Sequence, residues 1–246
     1  MKRNRRLAAV GLLCLCWGIF LRGACKLLTD VQISTGFGLP LPVIIIDAGH
    51  GGQDGGAVAN HVVEKDVNLQ IARDLRDMLL VNGFEVVMTR DADISIHDKG
   101  VAGISRQKTS DLRNRLALMQ SYSNAVFISI HQNKFWQSSS HGAQVFYSSN
   151  HPASQSLAEK IQSTLVADLQ LDNHRKTKQA GDNLFLMKEA PCPAVLVECG
   201  FLSNTHDAEN LARREYQSQL AFSIMSALLQ YFEFDQPNGI HANAFM

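Results

Sequence analysis

Residues 126–133 read VFISIHQN. The apolar part is a run of the kind that fills a strand buried on both faces, and it ends abruptly in His131, Gln132 and Asn133. One polar residue where a strand meets water needs no special explanation, so the meaning of His131 depends on what neighbouring strands carry. Two further runs have the same character: VIIID (43–47) and AVLVE (194–198). FEVVMT (84–89), AQVFYS (143–148) and a short segment at Leu184–Met187 bring the expected strands to about six. Helical patterns lie between them. After the first strand, Val67, Ile71, Leu75 and Met78 form one stripe that stops at Asn82-Gly83, a natural C-cap. Ser110 reads as the cap of a helix through about Ser121, and further helices are expected at 154–169, near 205–213 and at 216–234. The polar stretch 90–110 is expected to be a long loop, which in a compact domain is usually functional or mobile. Strands alternating with helices predict an α/β fold, a single domain with a twisted, mostly parallel sheet flanked by helices on both faces.

The N-terminus differs in kind. Lys2, Arg3, Arg5 and Arg6 precede an uncharged stretch from Leu7 to Leu21, the layout of an export signal. Residues 1–26 are therefore expected to be a signal peptide or an uncleaved signal-anchor, 27–42 a linker, 43–234 the one folded domain and 235–246 a tail. Arg22 in the stretch before Cys25 disfavours lipoprotein processing. Either outcome places the domain outside the cytoplasmic membrane, with membrane contact only through this segment. Six of the 23 basic residues lie at or before Lys26 and none of the 23 acidic ones, so the remainder carries a net charge of −6. A negative exported domain without a basic block is a poor partner for nucleic acid. Beyond the signal region only Cys192 and Cys199 remain; with no disulfide framework around them, two buried thiols are expected.

The ends of the buried strands carry the chemistry. His50 follows the first, His131 closes the middle one and Glu198 closes the last. In open α/β sheets ligands bind outside the carboxyl ends of the strands, so an imidazole, an imidazole and a carboxylate are expected at one edge. Two histidines with one carboxylate and an open position is a catalytic zinc pattern. Glu64, opening the first helix, is the preferred third ligand, because a helix N-terminus favours an anionic side chain. His61 and Asp54 in the preceding Gly-rich loop compete for that role. Glu198 then suits a general base that takes a proton from an activated water and passes it to a leaving amine. GHGGQDGG (49–56) lacks the Lys-Ser/Thr ending of a phosphate loop, and no serine sits in a nucleophile elbow.

IIIDAGHGGQDGGA (44–57), Glu64-Lys65, TRDAD (89–93), Arg115 sixteen residues before His131, and PAVLVECGFLSN (193–204) occur in this order. Together they resemble the zinc-dependent N-acetylmuramoyl-L-alanine amidases of the amidase 3 type, over Val43 to about Phe232. The resemblance implies one zinc ion held by His50, Glu64 and His131, and Glu198 as the catalytic glutamate. It implies hydrolysis of the amide joining the lactyl group of N-acetylmuramic acid to the L-alanine of the peptidoglycan stem peptide. Asn133 and Arg115 are the expected substrate contacts. The short domain, the N-terminal signal and DLRNRLALMQSYSNAVFISIHQN (111–133) look most like the germination-specific branch, which acts on spore cortex as a step toward muramic-δ-lactam. Ala48 stands where the family often has Pro, Met119-Gln120 where it has Ala-Asn, and Ala125 where it has Asp; none is a proposed ligand. No cell-wall-binding repeat is recognisable, so substrate contact is left to the cleft or to an activating protein partner. A non-catalytic muropeptide-binding protein and a metallopeptidase cutting within the stem peptide are the alternative readings.

Overall fold

The computed structural model describes residues 41–234. The expected signal, most of the linker and the tail lie outside the described residues. Among the described residues, eight strands and six helices follow in order: β1 (Val43–Ala48), β2 (Val58–Ala59), β3 (Val62–Val63), α1 (Glu64–Val81), β4 (Val86–Met88), α2 (Ile104–Gln120), β5 (Ala125–Asn133), β6 (Gln144–Tyr147), α3 (Ala153–Leu169), β7 (Lys178–Gln179), α4 (Phe185–Glu189), β8 (Ala194–Phe201), α5 (Thr205–Leu211) and α6 (Arg214–Phe234). No helix among the described residues is long and apolar enough to cross a membrane.

Six strands form one sheet in the order β4-β1-β5-β8-β6-β7. The first four run parallel, β6 runs antiparallel to β8, and β7 runs parallel to β6. Ile44, Ile45, Ile46, Phe127, Ile128, Ile130, Val195 and Val197 are wholly buried, as a sheet covered on both faces requires. One face packs Ile71, Leu75 and Leu79 of α1, Leu157 and Ile161 of α3, and Leu220, Ile224 and Leu228 of α6 against the strands. The other packs Ile45, Phe127 and Leu196 beneath Met119 of α2 and Leu186 and Met187 of α4. Helix α1 ends as its sequence foretells: Gly83 takes φ 84°, its N–H meets the Leu80 carbonyl at 3.1 Å, and the Phe84 N–H meets the Leu79 carbonyl at 3.1 Å. This is the Schellman arrangement that a glycine accepts without a Cβ clash.

Four expectations need correction. The helix expected from Ser110 begins at Ile104, six residues earlier, which shortens the loop expected over 90–110. Ser110 is not its cap; its hydroxyl donates to Asp98 Oδ2 at 2.7 Å and accepts from the Asp98 N–H at 2.9 Å, pinning the preceding loop onto the helix. Leu184–Met187 is not a strand: residues 185–189 form α4, and the sixth strand is the short β7 just before it. A brief apolar segment is compatible with either state, and burying Leu186 and Met187 on the sheet face selects the helix. The strand expected over 84–89 is confined to 86–88. Within the Gly-rich loop, β2 and β3 pair antiparallel around Asn60 and His61, both at positive φ.

Candidate active site

Parallel pairing sets the carboxyl ends of β1, β5 and β8 side by side. Ile130 pairs with Ala48 on one flank, and His131 pairs with Glu198 on the other. His50 stands just past β1 at φ 63°, an uncommon conformation for a residue with a side chain. Its loop is held from beneath by two arginines. Arg115, 2 % exposed, donates to the carbonyls of Ala48 (3.0 Å) and His50 (2.9 Å), to Asp111 Oδ2 (2.5 Å), and to Asp47. Arg90 donates to the carbonyls of Ala48 (2.9 Å), Gly49 (3.0 Å) and Lys65 (2.8 Å). The β2–β3 hairpin delivers the chain to Glu64, whose N–H donates to the Ala57 carbonyl at 2.9 Å while the Ala57 N–H donates to Glu64 Oε2 at 2.7 Å.

These elements bring His50, Glu64 and His131 together, with one potential ligand atom from each within 4.8 Å of the others. Glu64 Oε1 lies 2.8 Å from His131 Nδ1 and 3.3 Å from His50 Nε2, and accepts from the Gln132 N–H at 3.1 Å. The opposite nitrogen of His50, Nδ1, lies 3.0 Å from Asp54 Oδ2. Burial raises the Glu64 pKa, but hydrogen bonds from His131 and His50, and the charges of both rings, outweigh it and hold this carboxyl far below the usual range. Burial lowers that of His50, yet its hydrogen bond to Glu64, the Glu64 charge and Asp54 raise it above the ordinary imidazole value. The donor set fits a zinc-type ion. Asp54 can only accept, so it keeps a proton on His50 Nδ1 and leaves Nε2 facing a carboxylate oxygen 3.3 Å away. A proton bridges this gap in the cluster as it stands, and a metal ion could take its place, since about 3.3 Å is also the separation of two ligand atoms ~2.0 Å from a tetrahedral centre.

Glu198 stands beside this cluster, and its buried Oε2 has no hydrogen-bond partner among the described residues. Burial, with the Glu64 charge adding and the two histidines partly offsetting, pushes its carboxyl up to about 7. Such a carboxylate is poised to exchange a proton near neutrality. Cys199, next in sequence, faces the opposite side and is wholly buried; neither it nor Cys192 is in a disulfide. Asn133 lies at the tip of β5, and its backbone carbonyl accepts from the Leu202 N–H at 2.8 Å. Of the two rival ligands, His61 is exposed at the hairpin turn, and Asp54 stands behind His50. A cleft of about 660 Å³ opens from His50 and His131 toward α2, walled by Ile104, Lys108, Leu112 and Leu186. Arg90, Asn68 and Gln132 escaped the sequence reading. Arg90 lies in TRDAD, whereas Asn68 and Gln132 carry no signal beyond their places on α1 and β5.

Comparison with known proteins identifies the family. The amidase 3 family model, described as N-acetylmuramoyl-L-alanine amidase, matches residues 44–230. A germination-specific N-acetylmuramoyl-L-alanine amidase of Bacillus subtilis is 39% identical over 196 residues, 79% of this chain and 82% of that protein. The structure of the CwlD amidase from Clostridioides difficile, solved in complex with the GerS lipoprotein, superposes with a TM-score of 0.75 at 35% identity, covering 78% of this chain and 98% of that one. AmiC2 of Nostoc punctiforme, also an N-acetylmuramoyl-L-alanine amidase, gives a TM-score of 0.67 at 29% identity, covering 79% and 99%. A match over this much of the sequence and sheet shows that the chain belongs to the amidase 3 family and is an N-acetylmuramoyl-L-alanine amidase.

Proposed function

We propose that this amidase is zinc-dependent, that His50, Glu64 and His131 hold one zinc ion, and that Glu198 is its general base. The observation that carries the reading is the His-Glu-His cluster beside a buried carboxylate whose Oε2 has no partner among the described residues. Bound there, the ion supplies Lewis acidity toward a water nucleophile and the scissile carbonyl. Glu198 takes a proton as the water oxygen bonds to the carbonyl carbon. As the C–N bond breaks, the same carboxyl returns that proton to the departing nitrogen of L-alanine. The products are a free lactyl carboxyl on the muramic acid and a stem peptide with a free amine. Asn133, at the strand tip, is assigned a substrate contact in this reading. Arg115, its guanidinium engaged by Asp47, Asp111 and two carbonyls, acts by holding the His50 loop rather than by touching substrate.

The likeness to the germination-specific relative supports spore-cortex peptidoglycan as the substrate, and a freed lactyl carboxyl is what muramic-δ-lactam formation requires. It also supports action outside the cytoplasmic membrane, reached through the N-terminal segment. The solved complex of a relative with a lipoprotein supports an activating protein partner here too. Metal content and turnover of two variants test the division of labour. Glu198→Gln should keep zinc and lose turnover by at least ~10²-fold, the scale of a positioned acid–base group, whereas His131→Ala should lose both. Equal loss of metal from the two would refute it.

A further inference from the structure

We infer that Asp54 is the positioning residue that fixes the tautomer and tilt of His50, with Lys108 holding Asp54 in place from the wall of the cleft. This rests on the metal reading above. Asp54 lies four residues beyond His50, and its backbone pairs with Gly51 in both directions, at 2.9 and 3.1 Å, so the turn closes on itself. Its two oxygens are divided. Oδ2 meets His50 Nδ1 at 3.0 Å; Oδ1 meets Lys108 Nζ at 2.9 Å and the Gly56 N–H at 3.3 Å. A carboxylate accepts only, so the ring proton resides on Nδ1 and Nε2 is presented to Glu64. His50 sits at φ 63° between a buried strand and a glycine turn. A metal-binding imidazole commonly donates its other N–H to such a carboxylate, which sets both orientation and basicity. Lys108 is on α2 among the residues that wall the cleft, so that helix and the metal ligand are joined through two side-chain contacts.

Zinc affinity, measured on the full-length protein by competition with a chromophoric chelator, separates this role from a merely structural one. Asp54→Ala should bind zinc about 10–100-fold more weakly. Asp54→Asn, whose amide oxygen still accepts from Nδ1–H, should recover to within about fivefold of wild type. Lys108→Ala, losing a half-exposed ion pair, should weaken binding about two- to fivefold. The melting temperature of each metal-free variant should stay close to that of the metal-free wild type. Wild-type zinc affinity in Asp54→Ala, or an Asp54→Asn as weak as Asp54→Ala, would overturn the inference. If metal-free Asp54→Ala does not fold, Asp54→Asn and Lys108→Ala decide, and wild-type affinity in Lys108→Ala overturns its share. A wild-type protein that binds no zinc would instead overturn the metal reading beneath it.

Discussion

Gly49 shows how little room the site leaves. A Cβ at this position would lie 2.3 Å from Cε1 and Nε2 of the His131 ring, well inside any real contact. At Gly56, where φ is +68°, a Cβ would lie 2.5 Å from Glu64 Oε2 and 2.6 Å from His50 Cδ2. Side chains at both positions would push the cluster apart, so the glycines define its shape by absence. Gly49→Ala should therefore displace the His131 imidazole and weaken zinc binding at least about tenfold, the scale of a disturbed ligand environment. Isothermal titration of the metal-free variant checks this; unchanged affinity would mean that the His131 ring can move aside freely. His50, His131 and Glu198 were legible because each stands at the end of a recognisable strand, and Glu64 because it opens a helix. The reason for glycine at 49 and 56 was not, since it lies in a close approach between segments distant in sequence.

Elements with strong periodicity were legible as such. The continuous apolar runs gave β1, β5 and β8, and the stripe ending in Asn82-Gly83 gave α1 with its cap. Short or polar elements were not. Helix α2 begins in a stretch of polar residues with no side-chain cap, and Ser110 looked like a start only because serine suits that place. Its true partner, Asp98, lies in the loop it pins. The β2–β3 hairpin escaped notice because each strand has two residues and its turn uses Asn60-His61 rather than Asn-Gly, although both accept the left-handed region. His61 is thus a turn residue. His61→Ala should retain the full wild-type zinc content by elemental analysis, and a loss of metal would return His61 to the ligand set.

At the scale of the molecule, the sheet was legible as a class, α/β and mostly parallel, while its strand order and the pairing of His131 with Glu198 come only from long-range packing. What locks that packing under the site is the buried pair of Asp47 and Arg115, 1 % and 2 % exposed. Burial raises the Asp47 pKa, but the Arg115 charge, the His131 charge and hydrogen bonds from Ser129 and Thr89 together hold it below the usual carboxylate range. A carboxyl lowered in the folded state stabilises the fold above its unfolded-state value near ~3.9, and that contribution is lost as pH falls through the folded value. Asp47→Asn leaves Arg115 buried without its counter-charge and should cost about 3–5 kcal/mol at pH 7. Denaturant titrations should show the gap to wild type narrowing below pH ~4; a gap constant with pH would deny the pair its electrostatic role. All of this serves one reaction, and mass spectrometry of purified peptidoglycan incubated with the zinc-loaded protein, with and without chelator, tests it most directly. The account predicts free stem peptides beginning at L-alanine, released only when metal is present. Intact peptidoglycan from protein shown to hold its zinc, or peptides cut beyond L-alanine, would contradict it.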